Sequence, residues 1–296
     1  MKIEDVKTIV VVGAGAMGRQ IAMNTVLNGR EYGYKVINCD SFEKAVEAAN
    51  GWAKEYLDGR VAKGRITEEE RTLIDGRLSF TADVDAAAKD ADIVIEAIIE
   101  NLEAKRELFA RLSKICKDDT VFATNSSNIV SSKIADAVTN PKRLLNLHYF
   151  NPALVMQLVE IVRGPHTGEE TIELAKAFAE RTGKSPIVIN KEIAGFVANR
   201  INAAVTREAC LLLEKGVASV EDIDTACEKG LGYPMGPFKL MDLTGLDVNY
   251  YVRRDRYAES GDPNDMPSFS VIDKVIKGEY GRKTGKGWYD YTGEKK

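Results

Sequence analysis

An α/β fold with a doubly wound sheet, interrupted by a helical arm and followed by an all-α domain, is what the sequence predicts. Three observations predict it. Short β-branched runs alternate with helical stretches through the first two-thirds of the 296 residues. The runs are apolar throughout rather than alternating, as in strands covered on both faces. The alternation then stops near Asn190, and only helical periodicity follows until the tail.

Taken in order, residues 8–12, 35–39, 93–97, 121–124, 144–149, 155–162 and 185–189 read as strands. The stretch 42–63 is long for a crossover helix, and Thr67 with Glu70 makes a capping-box start to a second one, so about 42–75 reads as an arm inserted into the first domain. Residues 193–215 carry helical periodicity ending at Gly216, and Ser219 caps another helix. The expected domains are 1–190 and 191–296.

Composition narrows the function classes. A formal net charge of -4 argues against a nucleic-acid partner, which demands a basic face. No apolar stretch reaches the roughly 20 residues that cross a bilayer, and strand-like residues from Thr8 leave no room for a targeting segment. A cytoplasmic protein is expected. Cys39, Cys116, Cys210 and Cys227 lie far apart without Cys-x-x-Cys spacing, so reduced thiols are expected rather than a disulfide framework, and no metal is indicated.

Gly13-Ala14-Gly15-Ala16-Met17-Gly18 follows the first strand and opens a helix, the context in which a G-x-G-x-x-G pattern carries meaning. Gly13 makes the turn, Gly15 lets a pyrophosphate approach the helix N-terminus beside Ala16 and Met17, and Gly18 allows close helix–strand packing. Asp40, at the end of the second strand, is the natural acceptor for a ribose 2′-hydroxyl, which favours NAD over NADP. Glu100 and Lys105 follow another strand's carboxyl end, where loops line the ligand crevice. They equally suit a helix-start charge and a solvated lysine.

Only two histidines occur, and His148 ends an apolar run, with Glu160 closing the next run twelve residues on. An imidazole oriented by a carboxylate can take the proton of a secondary alcohol near neutral pH. Beside a nicotinamide cofactor, that is alcohol–ketone redox chemistry. Ser127 lies just past a strand where a hydroxyl can hold a substrate oxygen, although a Ser/Asn turn explains it as simply. Asn199 sits inside a helical pattern, with Asn202 and Thr206 on the same face.

The whole chain resembles the L-3-hydroxyacyl-CoA dehydrogenases, including the short-chain 3-hydroxybutyryl-CoA enzymes. The matching pieces are the glycine motif, Ile-Glu-Ala-Ile-Ile-Glu-Asn-Leu, Thr-Asn-Ser-Ser, His-Tyr-Phe-Asn-Pro-Ala-Leu-Val-Met-Gln-Leu-Val-Glu, Gly-Phe-Val-Ala-Asn-Arg, Gly-Tyr-Pro-Met-Gly-Pro-Phe and Gly-Arg-Lys-Thr-Gly-Lys-Gly-Trp-Tyr, in order. The resemblance implies a Rossmann domain followed by a helical substrate domain that forms a homodimer, with an acyl-CoA substrate and NAD. It implies His148 as base, Glu160 as its partner, Ser127 holding substrate and touching cofactor, and Asn199 orienting substrate. Asn151, Lys283, Glu100 and Lys105 then fall on cofactor contacts. The arm's basic residues Lys54, Arg60, Lys63 and Arg65 would face CoA, with Lys63 foremost.

Four departures stand out: Arg19-Gln20 after the third glycine, a lengthened segment at 28–34, Asn128 for a serine, and Tyr56 where some members carry a CoA-binding serine. The first two could shift the adenosine end of the cofactor, an effect the sequence leaves open. The alternatives are a dehydrogenase of a free hydroxy acid, of gulonate or carnitine type, and a non-catalytic NAD-binding relative of crystallin kind.

Overall fold

The computed structural model describes residues 1–293 and divides into two compact units, Met1–Phe196 and Val197–Lys296. The first unit runs β1 (Thr8–Val12), α1 (Ala16–Asn28), β2 (Lys35–Cys39), α2 (Glu43–Ala62), α3 (Glu68–Asp75), β3 (Leu78–Thr81), α4 (Val84–Ala88), β4 (Ile93–Glu96), α5 (Leu102–Ile115), β5 (Val121–Thr124), β6 (Leu144–Tyr149), β7 (Leu158–Val162), α6 (Glu169–Arg181) and β8 (Ser185–Ile189). These eight strands form one sheet in the order β3-β2-β1-β4-β5-β6-β7-β8. Strands β1 to β6 are parallel to one another; β7 runs antiparallel to β6, and β8 parallel to β7.

The unbroken apolar runs separate by pleat. On β1, Ile9 and Val11 join the core with α1, α2 and α6, whereas Val10 and Val12 join the core with α4 and α5. Both faces are therefore dry, which is why strict alternation is missing from the sequence.

The structure moves several expected boundaries. Strand β3 went unforeseen because Leu-Ser-Phe-Thr is a short edge segment with only Leu78 buried. The expected strand at 155–162 begins only at Leu158, because the preceding chain turns, with the Val155 and Met156 amides donating to the Pro152 carbonyl at 2.9 and 3.0 Å. The arm is the β2–β3 crossover itself. Ala53, Leu57, Ile66 and Ile74 bury one side of it in the main core, and the Thr67–Glu70 capping box forms at 3.1 and 3.0 Å. The lengthened segment at 28–34 lies before the amino end of β2, about 16 Å of strand away from its carboxyl end. It packs there through Tyr32 and Tyr34, the latter against Phe178.

The units divide after Phe196 rather than near Asn190. The Gly195 amide donates to the Ser127 carbonyl at 3.0 Å, and Phe196 packs with Val162 and Ile189, which ties 191–196 to the sheet. Gly195 and Phe196 take φ of +79° and +47°, and these left-handed residues delay the expected helix from 193 to Ala198.

The second unit contains α7 (Ala198–Glu214), α8 (Val220–Thr225), α9 (Pro237–Thr244), α10 (Leu246–Ser260) and α11 (Phe269–Ile276) around Cys210, Phe238, Met241 and Leu246. Its tail folds back on Asp242, which accepts from the Trp288 and Tyr289 amides and the Tyr291 hydroxyl at 2.9, 2.9 and 3.0 Å. Burial nevertheless raises the Asp242 pKa above the ordinary carboxylate value despite these bonds. A Cβ on Gly287 would stand 2.0 Å from Asp242 Oδ1, so the glycines of the tail motif serve this close approach. No helix among the described residues is long and apolar enough to cross a membrane.

Candidate active site

The carboxyl edge of the parallel strands gathers most of the expected groups. Gly13 takes φ +108°, and a Cβ there would strike the Ala97 carbonyl at 2.4 Å. A Cβ on Gly18 would fall 1.8 Å from the Gly13 carbonyl, so the third glycine is demanded by helix–strand packing. Above Gly15 nothing lies within 4 Å, and no side chain caps α1. The exposed Gly15 and Ala16 thus open onto the helix N-terminus, a cradle that fits a dinucleotide pyrophosphate.

Asp40 serves this loop before any ligand arrives. Its Oδ2 accepts from the Ala14 amide at 2.9 Å and its Oδ1 from the Phe42 amide at 3.1 Å. Each oxygen keeps a further lone pair for a ribose hydroxyl. The Arg19 guanidinium lies 4.8 Å over the Trp52 ring, so this departure packs on α2.

Behind the cradle stands a buried network that sequence reasoning missed. Glu96 is fully buried; Oε1 accepts from Lys105 Nζ at 2.6 Å and the Ile98 amide at 2.8 Å, and Oε2 accepts from the Thr124 hydroxyl at 2.7 Å. The Lys105 side chain is 1% exposed, with Nζ also 3.4 Å from Glu100. A cofactor contact by Lys105 would therefore come from an ammonium already held by two carboxylates. Glu100 remains half-exposed, takes the Ser126 hydroxyl, and so stands at the rim.

Asparagines set the neighbouring loops. Asn38 Nδ2 donates to the Val11 and Gly13 carbonyls at 3.0 and 2.9 Å. Asn146 holds the loop after β5, donating to Ser126 and Ile129 and accepting from the Ser131 amide at 2.7 Å. Asn125 accepts from the Tyr149 amide at 2.9 Å, linking that loop to β6. For Asn38 and Asn146 the detectable signal was a polar residue inside an apolar strand, which must find partners when buried.

Strand register makes the dyad. His148 on β6 and Glu160 on β7 are direct cross-strand partners, and His148 Nδ1 lies 2.9 Å from Glu160 Oε2. Glu160 is fully buried and His148 is 6% exposed. A carboxylate there fixes the Nδ1–H tautomer, which leaves Nε2 as the nitrogen able to exchange a proton with a substrate. Phe150 and Phe196 flank the ring at centroid distances of 4.6 and 5.4 Å. Phe196 is the only non-glycine residue with positive φ among those described, and such backbone strain collects at functional sites.

Ser127 is half-buried in the loop held by Asn146, and Asn151 is exposed just after β6. Lys184, just before β8, reaches the loop between β6 and β7 and donates to the Ala153 carbonyl at 2.5 Å and the Met156 carbonyl at 2.9 Å. Burial lowers its pKa. On α2, Lys54 is exposed, Arg60 lies 5.9 Å over the Tyr56 ring, and Lys63 and Arg65 follow as exposed residues.

Two expected residues lie in the second unit. Asn199 is half-buried in the first turn of α7, but Thr206 on its face is buried and donates back to the Asn202 and Ala203 carbonyls, so it adds no free hydroxyl. Lys283 pairs with Asp247 and lies 5.3 Å over the Tyr280 ring; the expected cofactor contact would require it to leave that pair.

Comparison with known proteins gives concordant results. Residues 8–193 match the family model for the 3-hydroxyacyl-CoA dehydrogenase NAD binding domain, and 195–291 match that for the 3-hydroxyacyl-CoA dehydrogenase C-terminal domain. The chain is 37% identical to human mitochondrial hydroxyacyl-coenzyme A dehydrogenase over 97% of its own length and 91% of the relative. It is also 37% identical to a probable 3-hydroxybutyryl-CoA dehydrogenase of Bacillus subtilis, over 97% and 98% of the two chains. Among solved structures, the (S)-3-hydroxybutyryl-CoA dehydrogenase of Ralstonia eutropha superposes with a TM-score of 0.90 at 34% identity, covering 97% of this chain and all of that one.

Proposed function

Because the chain belongs to the 3-hydroxyacyl-CoA dehydrogenase family, we propose that His148 and Glu160 carry its acid–base chemistry. The protein is an NAD-dependent oxidoreductase that interconverts (3S)-3-hydroxyacyl-CoA and 3-oxoacyl-CoA. NAD supplies the hydride acceptor when bound. His148 Nε2 takes the C3 hydroxyl proton in oxidation and returns it in reduction. Glu160 stabilises the imidazolium so formed, and burial strengthens that interaction. Ser127 holds the reacting oxygen, and Asn199 orients the substrate. Gly13, Gly15, Ala16, Met17, Gly18, Asp40, Glu100 and Asn151 hold the cofactor, with Lys105 acting through Glu100.

The 2.9 Å His148–Glu160 contact carries this reading. A short acyl chain such as 3-hydroxybutyryl is the proposed substrate, supported by the names of two relatives. Lys54 and Arg60 on α2 and Lys63 just after it are proposed for the CoA phosphates, which favours a thioester over a free hydroxy acid. Four free cysteines suit the reducing cytoplasm, and a place in fatty-acid β-oxidation or butanoate metabolism follows from the substrate class. The exposed Leu243, Val248 and Tyr251 of the second unit support a homodimer through that unit.

The deciding assay follows NADH consumption with acetoacetyl-CoA and, separately, with free acetoacetate. Rapid turnover of the thioester alone is expected. Preference for the free acid would move the protein to the hydroxy-acid alternative, and turnover of neither would leave the non-catalytic one.

A further inference from the structure

Four arginines of the second unit line one small cavity of about 90 Å³. Helix α7 supplies Arg200 and Arg207, two turns apart on one face, and α10 supplies Arg253 and Arg256, one turn apart. Ala203 and Ala204 keep the α7 wall shallow, and the turn after α10 adds Asp262, Asn264 and Asp265.

The acids of that turn do not balance these charges. Asp262 Oδ1 accepts from both nitrogens of Asn264, at 2.9 and 3.0 Å. Asp265 stands 3.8 Å from Arg256 and also takes the Ser260 hydroxyl at 2.8 Å. Arg253 is 5% exposed and donates to three carbonyls, those of Asn264, Met266 and Ala203, which carry no formal charge to neutralise it. The Arg256 side chain is 10% exposed, and its Nε is buried without a hydrogen-bond partner. Arg200 and Arg207 make no ion pair or hydrogen bond among the described residues.

Such an arrangement is costly by itself, because buried guanidinium groups repel one another where water screens them little. Burial first, and neighbouring arginines after it, lower the pKa of both Arg253 and Arg256. A bound anion would offset that cost, and guanidinium matches tetrahedral oxyanions with paired N–H donors. We propose that this cavity binds an oxyanion of the phosphate class, with Arg256 Nε and the outer arginines Arg200 and Arg207 as donors. The source is either free phosphate or the phosphoryl group of a larger molecule.

The test uses the full chain saturated with NADH, so that the glycine cradle of the first unit is already filled. Orthophosphate and AMP are titrated separately by calorimetry, with chloride holding ionic strength constant. Saturable binding is expected for at least one probe, with affinity about tenfold weaker in Arg207→Gln, the loss of one charged donor, and partly restored in Arg207→Lys. Binding of orthophosphate alone assigns the free ion, and tighter binding of AMP assigns a phosphoryl group; either supports the site. Arg256→Met should abolish saturation, and Arg207→Gln, on the half-exposed α7 face, keeps the test open should that variant fail to fold. Equal affinity in wild type and Arg207→Gln overturns the proposal. So does an absence of saturable heat accompanied by a changed sedimentation coefficient in Arg207→Gln, which would hand the arginines to carboxylates of a second copy.

Discussion

Two buried carboxylates bracket β4, and each holds a lysine. At the amino end Asp92 accepts from the Lys7 and Thr8 amides at 2.7 and 2.8 Å and pairs with Lys117. At the carboxyl end Glu96 accepts from the Ile98 amide, Lys105 and Thr124. The difference lies in what the partner touches next. Lys117 is 41% exposed and ends in solvent, whereas Lys105 is 1% exposed and passes on to Glu100, which stands at the rim with Ser126. One edge closes the fold. The other turns the same chemistry into a rigid mount for groups that we propose meet ligands, the preorganisation on which electrostatic catalysis depends.

Substitutions can break or sharpen that contrast. The largest effect belongs to the catalytic edge itself: His148→Ala should lower kcat for acetoacetyl-CoA reduction about 10³-fold while NADH binding, followed by fluorescence, hardly changes. Near-normal turnover would remove the dyad from the mechanism. Glu160→Gln keeps the shape and loses the charge, and stopped-flow turnover should fall about 10²-fold. A variant as active as wild type would reduce Glu160 to packing.

Glu96→Gln separates the mount from the chemistry. It should raise the KM for NADH about tenfold and, by stranding the Lys105 ammonium, destabilise the fold by about 3 kcal/mol. Adding Lys105→Met should recover the melting temperature but not the KM. Recovery of both would make Glu96 no different from Asp92. On the arm, where exposed cations meet solvent, Lys54→Met with Lys63→Met should raise the acyl-CoA KM about fivefold, less at high salt, with kcat unchanged.

Asp92→Asn should leave turnover untouched. Burial alone would raise the Asp92 carboxyl, but Lys117 and the two amides outweigh it and hold the pKa below the ordinary value. A lowered folded-state pKa means stability that is fully present above the unfolded carboxyl's value and lost as pH falls through the folded one. The variant should thus be about 1 kcal/mol less stable near neutrality, with the gap closing in acid denaturation curves below about pH 4. A gap that widened on acidification would reverse that account.

The chain announced its glycine cradle and its histidine because their local context is distinctive: a strand, then Gly13, Gly15 and Gly18, then a helix. The pairing of His148 with Glu160 needed more, since only strand order and direction bring residues twelve apart into register. Lys105 reads as a lysine beside a crevice, and its pairing with Glu96, hidden at the end of Ile-Val-Ile-Glu, shows only in the fold. Asn38 and Asn146 stand out as polar residues in apolar runs, but they, Asn125 and Lys184 act through main-chain carbonyls and amides whose positions no side-chain pattern encodes. The arginine cavity was silent for a related reason: Arg200 and Arg253 are brought together by helix packing across more than fifty intervening residues.

Reversal of the chain between β6 and β7 has a consequence for how this enzyme tolerates change. Side chains alternate sides along a strand, so the partnership of imidazole and acid depends on odd-or-even counting within Leu158–Val162. Residues inserted into the connecting bend can bulge outward without touching that count. Deletion of Val159 from within the strand would instead present an aliphatic neighbour to the ring and send the acid into the opposite layer of helices, a fault that no rotamer could repair.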